Sequence, residues 1–430
     1  MEQIRIKKRW ALLLTVIIVL SAITACGSNG NESEKENDKK VILKILRYVP
    51  QQLDYEFEQS VIGQFEKLHQ GVEIDYQQVK FDSYVSTLQR GLASGDAPDI
   101  YLVETGYLKD YVDKGYVADL SDLECVKGIQ SKSLESLMVN GRLYAAGTND
   151  TTVCAIYNKK VFADAGVTEI PETLDAFYEA CEKLKQSGTA PIANGYKEAW
   201  AISGNLQADY ITGVLKENPE AVKDVCSGKA SFSDSELWRS EFSRFFKRHQ
   251  YSQNNPLDTD WNEACAMLAD GQAGMILNGS WTITNVLGVN PDAELGVFPL
   301  PFSDQEEEVK LPLQGAKGGW AVYRNSRNAK LAKEFVDYIC SAEVVSQGNQ
   351  LRQAFSNVKD AVAGDDPAIQ DIQRYIDVGK VFYQGSLDHN FPNAQRNILE
   401  KTIAAYLANE NYDVDALCRT LDEKFAEIKE

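Results

Sequence analysis

The chain has 430 residues and a formal net charge of −19, from 63 acidic and 44 basic side chains. This excess of negative charge argues against nucleic acid or an anionic lipid surface as a partner, and it says nothing about a neutral ligand. The length allows two lobes, each with its own hydrophobic core.

The first 26 residues have the features of an export signal. Basic residues occur at positions 5–9, an apolar run covers 11–20, and small residues precede Cys26. The run is too short for a membrane span. The segment before Cys26 resembles a bacterial lipobox, which implies cleavage after residue 25 and a lipid on the Cys26 sulfur. An uncleaved anchor, or an ordinary signal with an incidental cysteine, is the alternative. Each reading places the rest of the chain outside the cytoplasm.

Residues 26–40 are predicted to be a flexible tether between lipid and domain, since 31–40 contain no apolar side chain. Seven further cysteines are scattered along the chain without a Cys-x-x-Cys pair, and the three histidines are far apart. This pattern favours buried free thiols over a disulfide framework, and no metal site or cofactor is expected.

The first third of the chain alternates strands and helices. A strand over Val41–Tyr48, a helix over about 53–68 and a strand over Val72–Val79 form a unit typical of parallel pairing with a right-handed crossover. A helix over 81–93 and a short buried strand at Ile100–Val103 follow, and such alternation predicts a doubly wound α/β lobe. Polar or aromatic residues at the strand ends are candidates to face a cleft: Arg47, Tyr48, Glu104 and Thr105.

The middle of the chain begins with two predicted strands, near 143–146 and 153–157, on either side of a polar turn. That turn contains Asn149, Asp150 and Thr151. A helix capped by Thr173 is expected to run to about residue 186, and 198–250 should be mostly helical. Trp200 lies near the start of one of these helices, where it is either a second aromatic platform or part of the core.

The stretch Gly271–Val286 predicts a strand–turn–helix corner. Ala273–Leu277 suits a buried strand, Asn278-Gly279 a turn, and Ser280 the cap of a helix that carries Trp281. Ligands in α/β folds bind at such strand ends, and an indole there could stack on a sugar face. From this stretch alone, the alternative that Trp281 simply belongs to the core is favoured.

The remaining chain is predicted to contain a strand at 294–299, an exposed acidic loop at 302–310 and a strand at Trp320–Tyr323. An amphipathic helix over 328–340 and further helices follow. Trp320 comes directly after two glycines, which would allow a ligand close to the backbone, although a core position is as plausible. Phe391 and Arg396 lie near the start of a late helix.

Several separate stretches resemble the extracellular solute-binding proteins of ABC importers, in the carbohydrate-binding group that includes maltose-binding protein. The segment 94–100 is similar to the family's Gly-Asp-x-Pro-Asp motif, 157–174 to its Tyr-Asn-Lys…Phe…Gly…Pro-x-Thr run, and 271–281 to its Gly-x-x-Ala-Met-x-x-x-Gly-x-Trp motif. Gly274 stands where the family usually has Ala. No single motif is specific to the family, but their occurrence together in this order is, and the resemblance covers essentially residues 41–430.

The resemblance implies an α/β periplasmic-binding-protein-like fold, with two lobes joined by a hinge and each lobe a sheet flanked by helices. Lobe 1 would hold 41–148 and 300–342, and lobe 2 would hold 149–299 and 343–430. A sugar would lie between the lobes, where aromatic faces and polar groups can meet its ring and hydroxyls. The expected ligand contacts are Trp281, Trp200, Glu104, Thr105, Asn149, Asp150, Thr151, Arg47, Tyr48, Trp320, Phe391 and Arg396.

The function implied is capture of a sugar or oligosaccharide by a monomeric lipoprotein, which delivers it to the transmembrane permease of an ABC importer. A related polyamine or other small-solute binder is the first alternative. A glycan hydrolase would need two facing carboxylates, and many acids are present, but no nucleophile motif occurs. We therefore expect a binding protein and not an enzyme.

Overall fold

The computed structural model describes residues 40–48, 52–385 and 390–428. The predicted export signal, Cys26 and the tether up to residue 39 lie outside these ranges. The strands are β1 (Val41–Arg47), β2 (Val72–Gln78), β3 (Ile100–Glu104), β4 (Met138–Val139), β5 (Arg142–Leu143), β6 (Thr151–Asn158), β7 (Ala190–Ile192), β8 (Ala273–Gly279), β9 (Leu295–Phe298), β10 (Leu311–Gln314), β11 (Gly318–Val322) and β12 (Val381–Tyr383).

Helices connect and flank the strands, and several begin at side-chain caps that the sequence indicates. Thr173 accepts a hydrogen bond from the Ala176 amide, as expected for a cap. The α-helices are Gln52–Leu68, Phe81–Ser94, Thr105–Asp113, Glu124–Gly128, Ser131–Leu134, Lys159–Asp164, Leu174–Gln186, Trp200–Tyr210, Ala221–Ser227, Glu236–His249, Trp261–Ala269, Trp281–Val289, Ala329–Ile339, Ala342–Arg352, Pro367–Asp377, Asn393–Ala408 and Val414–Glu427.

Two sheets carry the architecture. The first has the order β11-β3-β1-β2, in which β1 is parallel to both β2 and β3, and β11 is antiparallel to β3. The parallel β1–β2 pair joined by helix Gln52–Leu68 confirms the predicted strand–helix–strand unit. The second sheet has the order β12-β10-β6-β8-β7, with β9 also paired to β6.

The corner before Trp281 differs from the prediction in two details. Asn278 and Gly279 continue strand β8, because Gly279 pairs with Val153 and the Ser280 amide donates to the Thr152 carbonyl. The Ser280 side chain makes no capping hydrogen bond to helix Trp281–Val289. The expectations of a turn at residues 278–279 and of a Ser280 cap are therefore wrong.

Two hydrophobic cores lie beneath the two sheets. The smaller core collects residues of 43–146 together with Ala316–Cys340, Val344, Val345 and Val358, and the larger core collects residues of 153–313 and 355–425. Leu311 and Leu313 of β10 belong to the larger core. The division into lobes stays a prediction, and core membership favours moving its later boundaries from 300 and 342 to about 315 and 358.

Cys125, Cys154, Cys181, Cys226, Cys265, Cys340 and Cys418 are all free thiols, and five of them are buried, as the scattered spacing indicates. Within the ranges described, no helix has the length and apolarity to cross a membrane. The same residues contain no group of three His, Cys, Asp or Glu side chains arranged to hold a metal ion.

Candidate functional site

Three chain segments cross between the cores side by side, at 147–150, 315–317 and 354–357. Asp150 joins two of them: its carboxylate accepts hydrogen bonds from Ser133 Oγ at 2.6 Å and from Asn357 Nδ2 at 2.8 Å. Burial raises the pKa of Asp150 to about 6, while these two hydrogen bonds act in the opposite direction. Asp150 is thus a brace of the crossover segments, with its oxygens already used.

The neighbours of Asp150 in the predicted turn have different environments. Asn149 is exposed, and its side-chain oxygen accepts only a long 3.5 Å contact from Thr148. Thr151 starts β6, and its hydroxyl lies 3.5 Å from Gln314 Oε1 on β10. Of the three residues, Asn149 alone presents its side chain openly to solvent.

The carboxyl end of β3 places two predicted residues beside the second crossover. Both the amide and the hydroxyl of Thr105 donate to the Lys317 carbonyl, at 3.0 and 3.1 Å, and Thr105 is buried. Glu104 is half-buried and accepts a hydrogen bond from the Tyr48 hydroxyl at 3.3 Å. Burial, followed by the charge of Glu104, raises the pKa of Tyr48 to about 12. Glu104 retains partial exposure at this edge, whereas Thr105 fixes the backbone.

Arg47 and Trp320 form a packed pair. The Arg47 guanidinium binds the Glu58 carboxylate with contacts of 2.6 to 3.2 Å, and Tyr76 donates to the same carboxylate. The guanidinium carbon lies 4.7 Å from the centre of the Trp320 ring, a cation–π distance. These contacts occupy Arg47 and cover one face of Trp320, so the pair is placed as structural support and not as a free binding surface.

Trp281 begins its helix and folds back over the preceding strand. A Cβ atom built on Gly279 would lie 2.1 Å from the indole ring, so this close approach requires glycine. The indole packs on the larger core and remains partly exposed. The Lys317 ammonium lies 5.4 Å from the ring centre. Because Lys317 is held by Thr105 on the opposite sheet, the two edges face each other, and the space between them is called the cleft below.

Trp200 starts helix Trp200–Tyr210 at the same edge of the larger core. This helix lies against the end of β8, since a Cβ atom on Gly204 would be 2.4 Å from the Asn278 side chain. The Trp200 ring packs on Trp261 at 4.7 Å between centroids, and yet 39% of the residue stays exposed. Trp200 and Trp281 are therefore partly exposed indoles at the starts of two helices that both pack against β8.

Arg396, in the first turn of helix Asn393–Ala408, reaches this edge through Glu400. The Arg396 Nε lies 3.8 Å from Glu400 Oε1, which accepts a hydrogen bond from Ser203 Oγ at 2.6 Å. The positive charge of Arg396 acts on Lys317: partial desolvation by the surrounding protein and then this like charge lower the pKa of Lys317 to about 8.

Phe391 lies elsewhere. It is 7% exposed, and its ring packs among Tyr210, Phe232, Trp238 and Phe425 with centroid distances of 5.5 to 6.4 Å. The ligand contact expected at Phe391 stays a prediction that this packing disfavours, because the ring is buried in the aromatic cluster.

The structure thus brings together Glu104, Trp281, Trp200 and Arg396 around the cleft, with Asn149 exposed near the crossover. Sequence reasoning missed Lys317. Its position in the sequence could have indicated it, because Lys317 directly precedes Gly318-Gly319, the two glycines that would allow a ligand close to the backbone. Gly318 pairs with Glu104 in the sheet, which places Lys317 beside a residue already under consideration.

Comparison with known proteins agrees with this geometry. Residues 50–345 match the model of the bacterial extracellular solute-binding protein family. An uncharacterized ABC transporter extracellular-binding protein of Pyrococcus horikoshii is 24% identical over 375 residues, which cover 84% of this chain and 82% of the relative. The diacetylchitobiose binding protein DasA of Streptomyces coelicolor is 26% identical over 271 residues, 61% of each chain.

Among solved structures, RafE of Streptococcus pneumoniae in complex with raffinose has a TM-score of 0.72 at 19% identity. The similarity covers 90% of this chain and 100% of RafE. At this identity the likeness bears on the fold, and it confirms the predicted two-lobed solute-binding architecture.

Proposed function

Because this chain belongs to the bacterial extracellular solute-binding protein family, we propose that it captures a sugar or oligosaccharide in the cleft and delivers it to the permease of an ABC importer. The observation that carries the proposal is the pair of partly exposed indoles, Trp200 and Trp281, each the first residue of a helix that packs against β8. Trp281 lies opposite Lys317, which the first sheet holds through Thr105. Indole faces pack on the C–H groups of pyranose rings, and polar groups such as Glu104 can bond the hydroxyls. A relative named for diacetylchitobiose and a solved structure of the same fold in complex with raffinose support this assignment.

The binding step follows from the two-lobed arrangement. A sugar that contacts Trp281 on one side and the β3 edge on the other has more contacts when the lobes are closed. Such differential affinity shifts the population toward the closed form, which the permease would recognise. The three braced crossover segments are the elements that rotate. No chemical step is required, so we expect binding without turnover.

Isothermal titration against a panel of neutral and acidic mono- and oligosaccharides tests the proposal. Trp281→Ala and Trp200→Ala should each lower the affinity about tenfold, the loss of roughly 1.4 kcal/mol of ring contact. Tyr412→Ala is the matched control, since Tyr412 is 37% exposed and packs on Phe246 and His249 instead. A chain that binds no sugar in the panel but binds spermidine would refute the sugar assignment.

We further propose that the mature chain is anchored by a lipid on Cys26 to the outer face of the cell membrane and acts as a monomer. The lipobox-like sequence and the polar residues that follow support this arrangement. The unaltered full chain should incorporate labelled palmitate and lose residues 1–25, and Cys26→Ala should do neither; a Cys26→Ala chain that still takes up the label would contradict the assignment. Size-exclusion chromatography with light scattering checks the monomer, and a dimer mass would contradict it.

A further inference from the structure

Lys317 is an unusual lysine for so acidic a chain. Its side chain is exposed in the cleft, and no carboxylate of the described residues lies within 4 Å of its ammonium. By contrast, surface lysines such as Lys109 and Lys160 each have an acidic partner one helical turn away, at 2.5 Å. With 63 acidic side chains in the sequence, a lysine that has no carboxylate partner among the described residues needs an explanation.

The charged side chain that acts on the pKa of Lys317, after desolvation, has the same sign as the lysine. Arg396 acts on it as a like charge and contributes to lowering the pKa of Lys317. Arg396 donates Nη2 to Asn393 Oδ1 at 2.8 Å, and its only acidic neighbour within the described ranges, Glu400, is 3.8 Å away and already bonded to Ser203. A guanidinium has five donors in a fork that fits planar anions, and most of these donors remain unused here.

Three helices add to the positive potential at the same edge. Helices Trp200–Tyr210, Trp281–Val289 and Asn393–Ala408 all begin here, and none of their N-cap residues makes a side-chain capping hydrogen bond. A helix amino terminus carries about half a positive charge, and it favours an anion nearby. The local field therefore opposes the net negative charge of the whole chain.

We propose that the sugar bound in this cleft is acidic: a uronic-acid residue stacks on Trp281 and places its carboxylate between the Lys317 ammonium and the Arg396 guanidinium. This inference rests on the proposed sugar-binding function and narrows its ligand class. A carboxylate at this position removes the repulsion between the two cations and fills the unused donors. The same geometry disfavours a polyamine, because a polycation would meet two further positive charges.

The test compares each acid with its own uncharged counterpart. Di- and trisaccharides of galacturonic, glucuronic and mannuronic acid are titrated into the full chain beside their methyl esters, which keep the rings and lose the charge. At least one acid should bind about tenfold or more tightly than its ester, the usual gain from a charge-assisted hydrogen bond. Sulfated and phosphorylated disaccharides in the same panel distinguish a carboxylate from other anionic substituents.

Variants separate charge recognition from folding. Lys317→Met and Arg396→Gln should remove most of the preference for the acid over its ester while changing the affinity for the ester by less than about threefold. Lys330→Met, in a lysine that is 95% exposed on another helix, should leave both affinities unchanged. Trp281→Ala should weaken the acid and the ester together.

Three results would overturn the inference. Equal affinity for every acid and its ester, with both bound, refutes acidic recognition and leaves the sugar-binding proposal intact. If Lys317→Met and Arg396→Gln still bind the acid more tightly than its ester, residues other than Lys317 and Arg396 bind the sugar carboxylate. If only sulfated or phosphorylated sugars bind, the ligand is an anionic sugar of that kind and not a uronic acid. If no sugar of any charge binds, it is the sugar-binding proposal itself that fails.

Discussion

Replacing Asp150 by asparagine is expected to stabilise the chain near neutral pH. Asp150 is 5% exposed and accepts hydrogen bonds from Ser133 and Asn357. An asparagine has the same shape: its carbonyl oxygen can accept from Asn357, and its amide can donate to the Ser133 hydroxyl oxygen. The substitution therefore keeps the brace between crossover segments and removes a buried charge.

The magnitude follows from the pKa of Asp150, which burial raises from 3.8 to about 6 in the folded chain. Between these two values the folded chain binds more protons than the unfolded chain, so the free energy of unfolding falls as pH rises through this window. One pKa unit is worth about 1.4 kcal/mol, which gives a loss of about 3 kcal/mol above pH 6. Asp150→Asn should recover up to this amount at pH 7 and almost nothing at pH 4.

Urea denaturation followed by circular dichroism at pH 4 and pH 7 measures the effect. Asp377→Asn is the control, because Asp377 is exposed and should change stability by no more than about 0.5 kcal/mol at either pH. If Asp150→Asn is less stable than the parent at pH 7, the hydrogen bonds of the carboxylate stabilise the folded chain by more than the burial of its charge destabilises it. An equal gain at both pH values would show that the effect is not one of charge.

Three further outcomes are expected. Arg248→Met should lower the free energy of unfolding in urea by about 3 to 5 kcal/mol, because it leaves fully buried carboxylates short of a partner. The same change at the exposed Arg374 should lower the free energy of unfolding by about 1 kcal/mol or less. Gly279→Ala should weaken sugar binding measured by titration, because the added methyl displaces the Trp281 indole. The affinity for an acidic sugar should fall as pH rises above about 8, when Lys317 loses its charge, while its methyl ester binds equally at pH 7 and 9.

The sequence predicts most elements because their signals are local. The apolar stretch at 41–47 and the Thr173 cap depend on neighbours within one strand or one helical turn, and the structure confirms both the strand and the cap. The corner at 278–280 was misjudged because Asn-Gly is a common turn pair, while the partner strand β6 extends β8 through it. Strand β10 gave no signal of its own: it is four residues long, contains a proline and forms by pairing with β6 and β12.

The site was harder to predict than the fold because side-chain partners come from distant segments. Arg47 ends a strand, as expected, but Glu58 and Trp320 occupy it. Phe391, like Trp281, is a large aromatic residue near the start of a helix. Only the tertiary packing shows that Phe391 lies in an aromatic cluster. Lys317 carries no motif, and its significance depends on the approach of Arg396, 79 positions later in the sequence.

Lys317 also connects ligand binding to lobe movement. Its carbonyl is fixed by Thr105 beside the smaller core, and its side chain reaches Trp281 on the larger core. The preceding residue, Ala316, lies in the second crossover segment, where its carbonyl accepts a hydrogen bond from Ser136. Rotation about the crossovers must therefore change the distance between Lys317 and Trp281. A ligand that fills the gap between them stabilises one value of that distance. A ligand that touches only one side has equal affinity for the open and closed forms and does not shift the equilibrium between them. We infer that the ability to span Lys317 and Trp281, and not affinity alone, decides which sugars close the lobes.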